Sequence, residues 1–275
     1  MNNDFTKKTA RTIPYLFLVL TCIMVILLLA VSLSTFKQTK QEKQFLKEFY
    51  SGDYQQYIDS YNSLDELNRV EETFLYLYGI SNFQLKHYGK SIESFELFHI
   101  LYPESSKDLP LSYYLLGISY FKNNMYEMAK EKLLLAESYG YLNNRIYLYL
   151  GLISGESTDL YTTKEYLEKA GLDSRRIAYF LLNKYIAQGK YVEAELQFEL
   201  LIHQAVTEQE LYKLYLRKAD IFPQESIQLL KELSQYIKTP ELLQDIYREL
   251  AVLYEQQGNL IEARTMRENS QNLAD

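Results

Sequence analysis

The chain has no tryptophan, a single cysteine, three histidines and only five prolines in 275 residues. Each scarcity closes off a class of protein. With Cys22 alone there is no disulfide framework and no thiolate metal site. His87, His99 and His203 stand apart, without the HExxH or similar spacing that converges ligands on a metal. No GxSxG, Walker-type or GxGxxG motif is present. Acidic neighbours such as Glu71 and Glu72 diverge on a helix, so they read as solvated faces rather than as a catalytic pair. There is no run of like charge and no basic patch interleaved with aromatics, and the net charge is −7. Nucleic-acid binding needs clustered Lys and Arg and is not expected. Strand patterns and Pro/Gly/Ser-rich linkers are missing as well. These absences predict an all-α protein that is not an enzyme and carries no cofactor.

What the chain does have is tyrosine, 27 residues of it. An apolar ring with a polar tip suits half-buried helix surfaces and binding grooves. It also has one long charge-free run, Thr12 to Phe36, with LFLVLTCIMVILLLAV at Leu16–Val31. A bilayer core needs roughly 20 helical residues, so residues 13–36 read as a transmembrane helix after a basic tail, 1–12. A cleavable signal is the rival, with Ala30–Val31–Ser32 as its site, but its apolar region would be about 7–15 residues, shorter than this run. Lysines and arginine flank both sides: Lys7, Lys8 and Arg11 before, Lys37, Lys40, Lys43 and Lys47 after. A short basic tail resists translocation while a long domain crosses regardless of charge, which places the N-terminus in the cytoplasm and the remainder outside. Residues 37–71 read as a juxtamembrane helix followed by a degenerate repeat.

From there to the C-terminus one pattern recurs. Counted from Pro110, Tyr113, Leu116, Gly117, Tyr120, Ala129, Leu133 and Ala136 fall at places 4, 7, 8, 11, 20, 24 and 27 of a unit of about 34 residues. Residues 72–105 put Gly79, Ser91, Phe95, Phe98 and Pro103 at places 8, 20, 24, 27 and 32. Residues 144–177 carry Tyr147, Leu150 and Gly151 at the first-helix places, with Thr163 departing at place 20. Residues 175–208 carry Leu181, Leu182, Tyr185, Ala194 and Phe198, and 244–275 carry Tyr247, Leu250, Ala251, Tyr254 and Ala263. Residues 209–243 keep two helical segments without the small-residue pair. Two antiparallel helices joined by a short turn touch along one line, where only a small residue fits and large neighbours fill in around it. Places 8 and 20 are that line. Gly52, Gly189 and Gly258 share place 15, where a left-handed turn residue is expected, with Asn124 as the next best choice.

This pattern resembles the tetratricopeptide repeat. The resemblance covers nearly everything after the apolar run and implies a right-handed α-solenoid of helix–turn–helix repeats, closed by the polar last helix. It further implies a role in binding protein or peptide segments on the face lined by the first helix of each repeat. Carried over by place, that face holds Tyr76, Ile80 and Phe83, then Tyr114, Ile118, Phe121 and Lys122, then Tyr179 and Asn183. The family's clamp for a C-terminal carboxylate has Lys where Tyr76, Tyr114 and Tyr179 stand, so an apolar or amphipathic segment is the expected ligand. The function expected is a membrane-anchored scaffold or adaptor in a cell-envelope complex. Two alternatives stay open: a solenoid enzyme acting on an envelope polymer, and an adaptor facing the cytoplasm. Self-association stays open too.

Overall fold

The computed structural model describes residues 23–24, 42–104, 109–157 and 159–273. The expected transmembrane helix at 13–36 lies outside the described residues except for Ile23 and Met24. Among the described residues no helix is long and apolar enough to cross a membrane. They are helical throughout, with no strand. The chain divides into two compact units, Met1–Tyr141 and Leu142–Asp275.

In the first unit, α1 (residues 42–50) is followed by α2 (Tyr54–Asn62), the short α3 (Glu66–Arg69), α4 (Glu72–Gln84), α5 (Tyr88–Leu101), α6 (Leu109–Lys122) and α7 (Tyr126–Ser138). Helices pair as hairpins, α4 with α5 and α6 with α7, and α5 then packs on α6. The aromatic side chains do much of the filling. Phe45 meets Tyr57 and Phe74 edge-on, at 6.1 and 5.2 Å between centroids. Tyr57 is fully buried and donates its hydroxyl to the Phe74 carbonyl at 2.9 Å, so a large ring enters the core without an unmet polar atom.

The second unit runs α8 (Asn144–Ser154), α9 (Leu160–Lys169), α10 (Ser174–Ala187), α11 (Tyr191–His203), α12 (Glu208–Ile221), α13 (Ser226–Tyr236), α14 (Pro240–Gln256) and α15 (Leu260–Asn272). Successive hairpins are α8–α9, α10–α11, α12–α13 and α14–α15. Phe198, Leu182, Ala178 and Ala194 form one core cluster, and Leu233, Ile246 and Leu250 anchor the next.

Two local rules shape the hairpins. The first is the turn. Asn124, Gly189 and Gly258 sit at φ of 60°, 69° and 77°. The residue after each returns its N–H to the carbonyl five residues back: Met125 to Tyr120, Lys190 to Tyr185 and Asn259 to Tyr254, at 2.8–2.9 Å. This is a Schellman-type closure, and it needs a left-handed residue that glycine or asparagine adopts readily. Lys86 (φ 62°) occupies the same place in α4–α5, a residue the sequence did not flag.

The second rule is the close approach. A Cβ on Gly117 would lie 2.8 Å from Leu133 Cγ and 3.2 Å from the Ala129 carbonyl oxygen. A Cβ on Gly79 would meet the Phe95 ring at 2.8 Å, and Ser91 donates its hydroxyl to the Gly79 carbonyl at 3.1 Å. Place 8 therefore meets place 20 through its backbone, as the spacing requires. The tightest contact is with the large side chain at place 24.

Candidate functional site

The geometry that invites a ligand lies on α10 and α12, the first helices of two successive hairpins in the second unit. Asp173 starts α10 by accepting the Arg176 N–H at 2.8 Å, and Thr207 starts α12 by accepting the Glu210 N–H at 3.2 Å. These caps satisfy donors that a helix start leaves unpaired. They fix where each helix begins and hence which residues face across the gap. Tyr179 and Asn183 stand one turn apart on α10, and Lys213 and Arg217 one turn apart on α12. Between them opens a pocket of about 490 Å³, walled by Tyr179, Leu214, Thr207, Gln209, Glu210, Lys213 and Arg217.

Its charges are arranged unequally. Glu210 accepts from the Tyr179 hydroxyl and the Val206 N–H, each at 3.3 Å, and forms an ion pair with Arg175. Its negative charge is thus already engaged. Arg217 donates to the Asn183 side-chain oxygen. That contact fixes the amide, so the Asn183 NH2 group is the end left to donate elsewhere. Lys213 is exposed and has no ion-pair or hydrogen-bond partner among the described residues. The pocket therefore offers an apolar wall, from the Tyr179 ring and Leu214, beside uncommitted donors. Such a surface can hold a segment that brings apolar side chains together with carbonyl or carboxylate oxygens.

The other expected contact residues are placed differently. Tyr76 is buried, its ring 5.4 Å from Phe98 and 6.2 Å from Phe95, inside the α4–α5 hairpin. Tyr114 is buried and stacked on Tyr141 at 4.6 Å, and Ile118 is buried on the same helix. These three were expected to face a groove. Their side chains are instead taken up in packing, Tyr76 against Phe95 and Phe98 and Tyr114 against Tyr141. Ile80 and Phe83 are half-buried, and Phe83 meets Tyr88 edge-on at 5.9 Å. Phe121 is half-buried against Tyr126 at 5.8 Å, with the exposed Lys122 ammonium 5.6 Å from its ring centroid. Among the residues expected on the binding face, Tyr179 lines the pocket, and Asn183 lies one turn along α10, held by Arg217 of the pocket wall. Lys213, Arg217 and Glu210 were missed because residues 209–243 lack the small-residue signature. Counting the same places through that repeat, 2, 5 and 9, gives these three residues.

His99 and Ser112 stand at the spacing of a hydrolytic pair, their Nε2 and Oγ atoms 2.7 Å apart. Ser112 is fully buried and donates to the Leu109 carbonyl at 3.0 Å, so the neutral ring suits the site as the Nε2–H tautomer. Burial, with the nearby Lys132 charge second, pushes the His99 ring down to about 4. It is stacked on Tyr113 at 3.9 Å. A serine with no access to solvent and its proton committed elsewhere is not a nucleophile. The pair is a packing contact. No group of His, Cys, Asp and Glu among the described residues could hold a metal ion.

Comparison with solved structures fits this architecture. The chain superposes on the C-terminal part of a TPR repeat-containing protein from Cytophaga hutchinsonii with a TM-score of 0.53, at 15% identity, over 84% of this chain and 94% of that one. The fold is that of a tetratricopeptide-repeat protein. Weaker likenesses include MamA from Desulfovibrio magneticus, at TM-score 0.46 and 18% identity over 59% of this chain and 92% of that one. Another is a Rap conjugation gene regulator solved with its Phr* peptide, at TM-score 0.35 and 18% identity over 84% and 71%. No protein-family model matches the chain, and no curated protein matches it. The tetratricopeptide-repeat fold accounts for the period of the small residues.

Proposed function

We propose that this protein is a membrane-anchored scaffold that binds extended protein or peptide segments along the first helices of its repeats. The observation that carries the reading is the α10–α12 pocket. It lies on the helices the repeat count assigns to binding, and Tyr179 forms its wall. Its apolar wall and free Lys213 suit a peptide with mixed apolar and acceptor character. In the first unit the accessible counterparts are Ile80, Phe83, Phe121 and Lys122. The charge-free run at 13–36 supports an anchor, and the short basic tail before it supports a cytoplasmic N-terminus with the repeats outside, in an envelope complex. In this reading the protein performs no chemistry; it gathers partners at the membrane, where anchoring raises their effective concentration.

The test is a photo-reactive residue placed at Gln209, on the exposed rim of the pocket, in cells producing the full chain. A discrete cross-linked protein should appear, and Tyr179→Ala with Lys213→Glu should abolish it. An adduct indifferent to both substitutions would reject the pocket as the binding site. Protease protection of intact cells separates an external from a cytoplasmic repeat domain.

A further inference from the structure

The solvent side of α11 differs from its sister helices. Place 22 of the repeat lies mid-way along the second helix of the hairpin and faces water in all but α12–α13, where the same count falls on the buried Leu230. There α5, α7, α9 and α15 carry Glu93, Glu131, Glu165 and Thr265, all exposed. On α11 the residue is Leu196, 62% exposed, with Val192 (73%) one turn before and Leu200 (39%) one turn after. Three aliphatic side chains at four-residue spacing make one continuous stripe, about 12 Å long at the helical rise. Contiguous exposed apolar surface on a soluble helix marks a contact surface, and here the sister repeats serve as internal controls. The stripe has acidic flanks. Glu195 and Glu199 both pair with the buried Lys218, Glu195 at 3.4 Å. Glu193 has no ion pair among the described residues. Glu193, Glu195 and Glu199 thus alternate with the stripe along α11, the last two sharing Lys218.

We propose that this face of α11 docks an amphipathic helix of another protein, with apolar residues every three to four positions and Lys or Arg beside them. The length of the stripe matches about two turns of such a helix, and the acids select the basic flanks. A second copy of this chain fits less well. Two α11 helices paired antiparallel about Leu196 would set Glu193 of one copy against Glu199 of the other. The surface is separate from the α10–α12 pocket and does not depend on the groove reading.

The test titrates the full chain against a dye-labelled helical peptide of roughly four turns, built from Leu and Lys in amphipathic order. A companion peptide has Glu in place of every Lys. The Lys peptide should bind, with the Glu peptide weaker by roughly ten-fold or more. Leu196→Glu, which installs the residue of the sister helices, should weaken the Lys peptide by a similar factor while the melting temperature and helical circular dichroism hold. If that variant fails to fold, Leu196→Gln takes its place. Lys213→Glu, in the pocket, should leave the affinity unchanged. Equal binding of both peptides, or binding indifferent to position 196, would overturn the proposal. So would loss on Lys213→Glu, which would put the peptide in the pocket. A dimer that Leu196→Glu splits, with peptide affinity unchanged, would overturn it too and assign the face to self-association.

Discussion

The hairpins α6–α7 and α10–α11 share a period and differ in what they do with it. Both turn through a left-handed residue, Asn124 or Gly189, and both place a fully buried alanine at the crossing, Ala129 or Ala194. At place 8 they part. Gly117 lets Leu133 press onto the backbone, whereas Leu182 fills the same register with a fully buried side chain among Ala178, Ala194 and Phe198. The faces expected to bind differ in the same sense. Tyr114 and Ile118 are absorbed into packing, while Tyr179 and Asn183 stay accessible beside a pocket. A repeat register thus fixes where helices touch. Which helix supplies the volume, and hence which side chains remain for a ligand, varies from hairpin to hairpin.

That comparison can be broken in both directions. The largest effect is expected at Leu182→Ala. Removing a fully buried leucine should cost about 3 kcal/mol, within the 2–5 kcal/mol typical of such truncations, read as a lower urea midpoint. In α6 the same place punishes growth instead. Gly117→Ala should destabilise by about 1–3 kcal/mol, because its Cβ meets Leu133 Cγ and the Ala129 carbonyl with no room to yield. Leu133→Val in the same chain should restore part of the loss, which a double-mutant cycle would detect as coupling.

Two smaller effects separate α4–α7 from the second unit. The folded chain keeps His99 neutral down to about 4, whereas an unfolded chain protonates it near 6.5. Between those values the unfolded state binds the extra proton, so stability falls as pH falls. Allowing for the ring's partial exposure, the loss by pH 5 should be about 1 kcal/mol. His99→Gln should remove that step from a series of melts between pH 7.5 and 5. Smallest is Lys86→Gly. It relieves a left-handed lysine at the turn that Gly189 and Gly258 occupy in the second unit. A gain of about 0.5–1 kcal/mol is expected, since the left-handed strain exceeds the added chain entropy. Gly189→Lys should show the opposite sign.

Much of the fold is legible in residue order. Tyr113, Gly117, Tyr120, Ala129 and Ala136 recur at a fixed period, and a helical period together with a small-residue contact leaves few packings open. Lys86 was not legible, because a turn residue without a glycine or asparagine signature looks like any helix terminus. The proposed binding face was legible only as a side of a helix. Place 5 marks Tyr76, Tyr114 and Tyr179 alike, but two of these rings are buried by aromatics far away in sequence, and one is not. Glu210, Lys213 and Arg217 needed the register to be carried through a repeat that had lost its small residues.

By itself the sequence determined the helices, their pairing into repeats, the turn positions and the helix faces that cross, because these depend on spacing along one chain. It also set the charge-free run on which the anchoring proposal rests. Only the tertiary structure decided which aromatic side chains are consumed by packing, which acid is neutralised by which base, and where an apolar stripe stays uncovered. Those outcomes depend on distances between residues tens of positions apart. Spacing along the chain does not encode whether Tyr114 finds Tyr141, or Glu210 finds Arg175, before a ligand does.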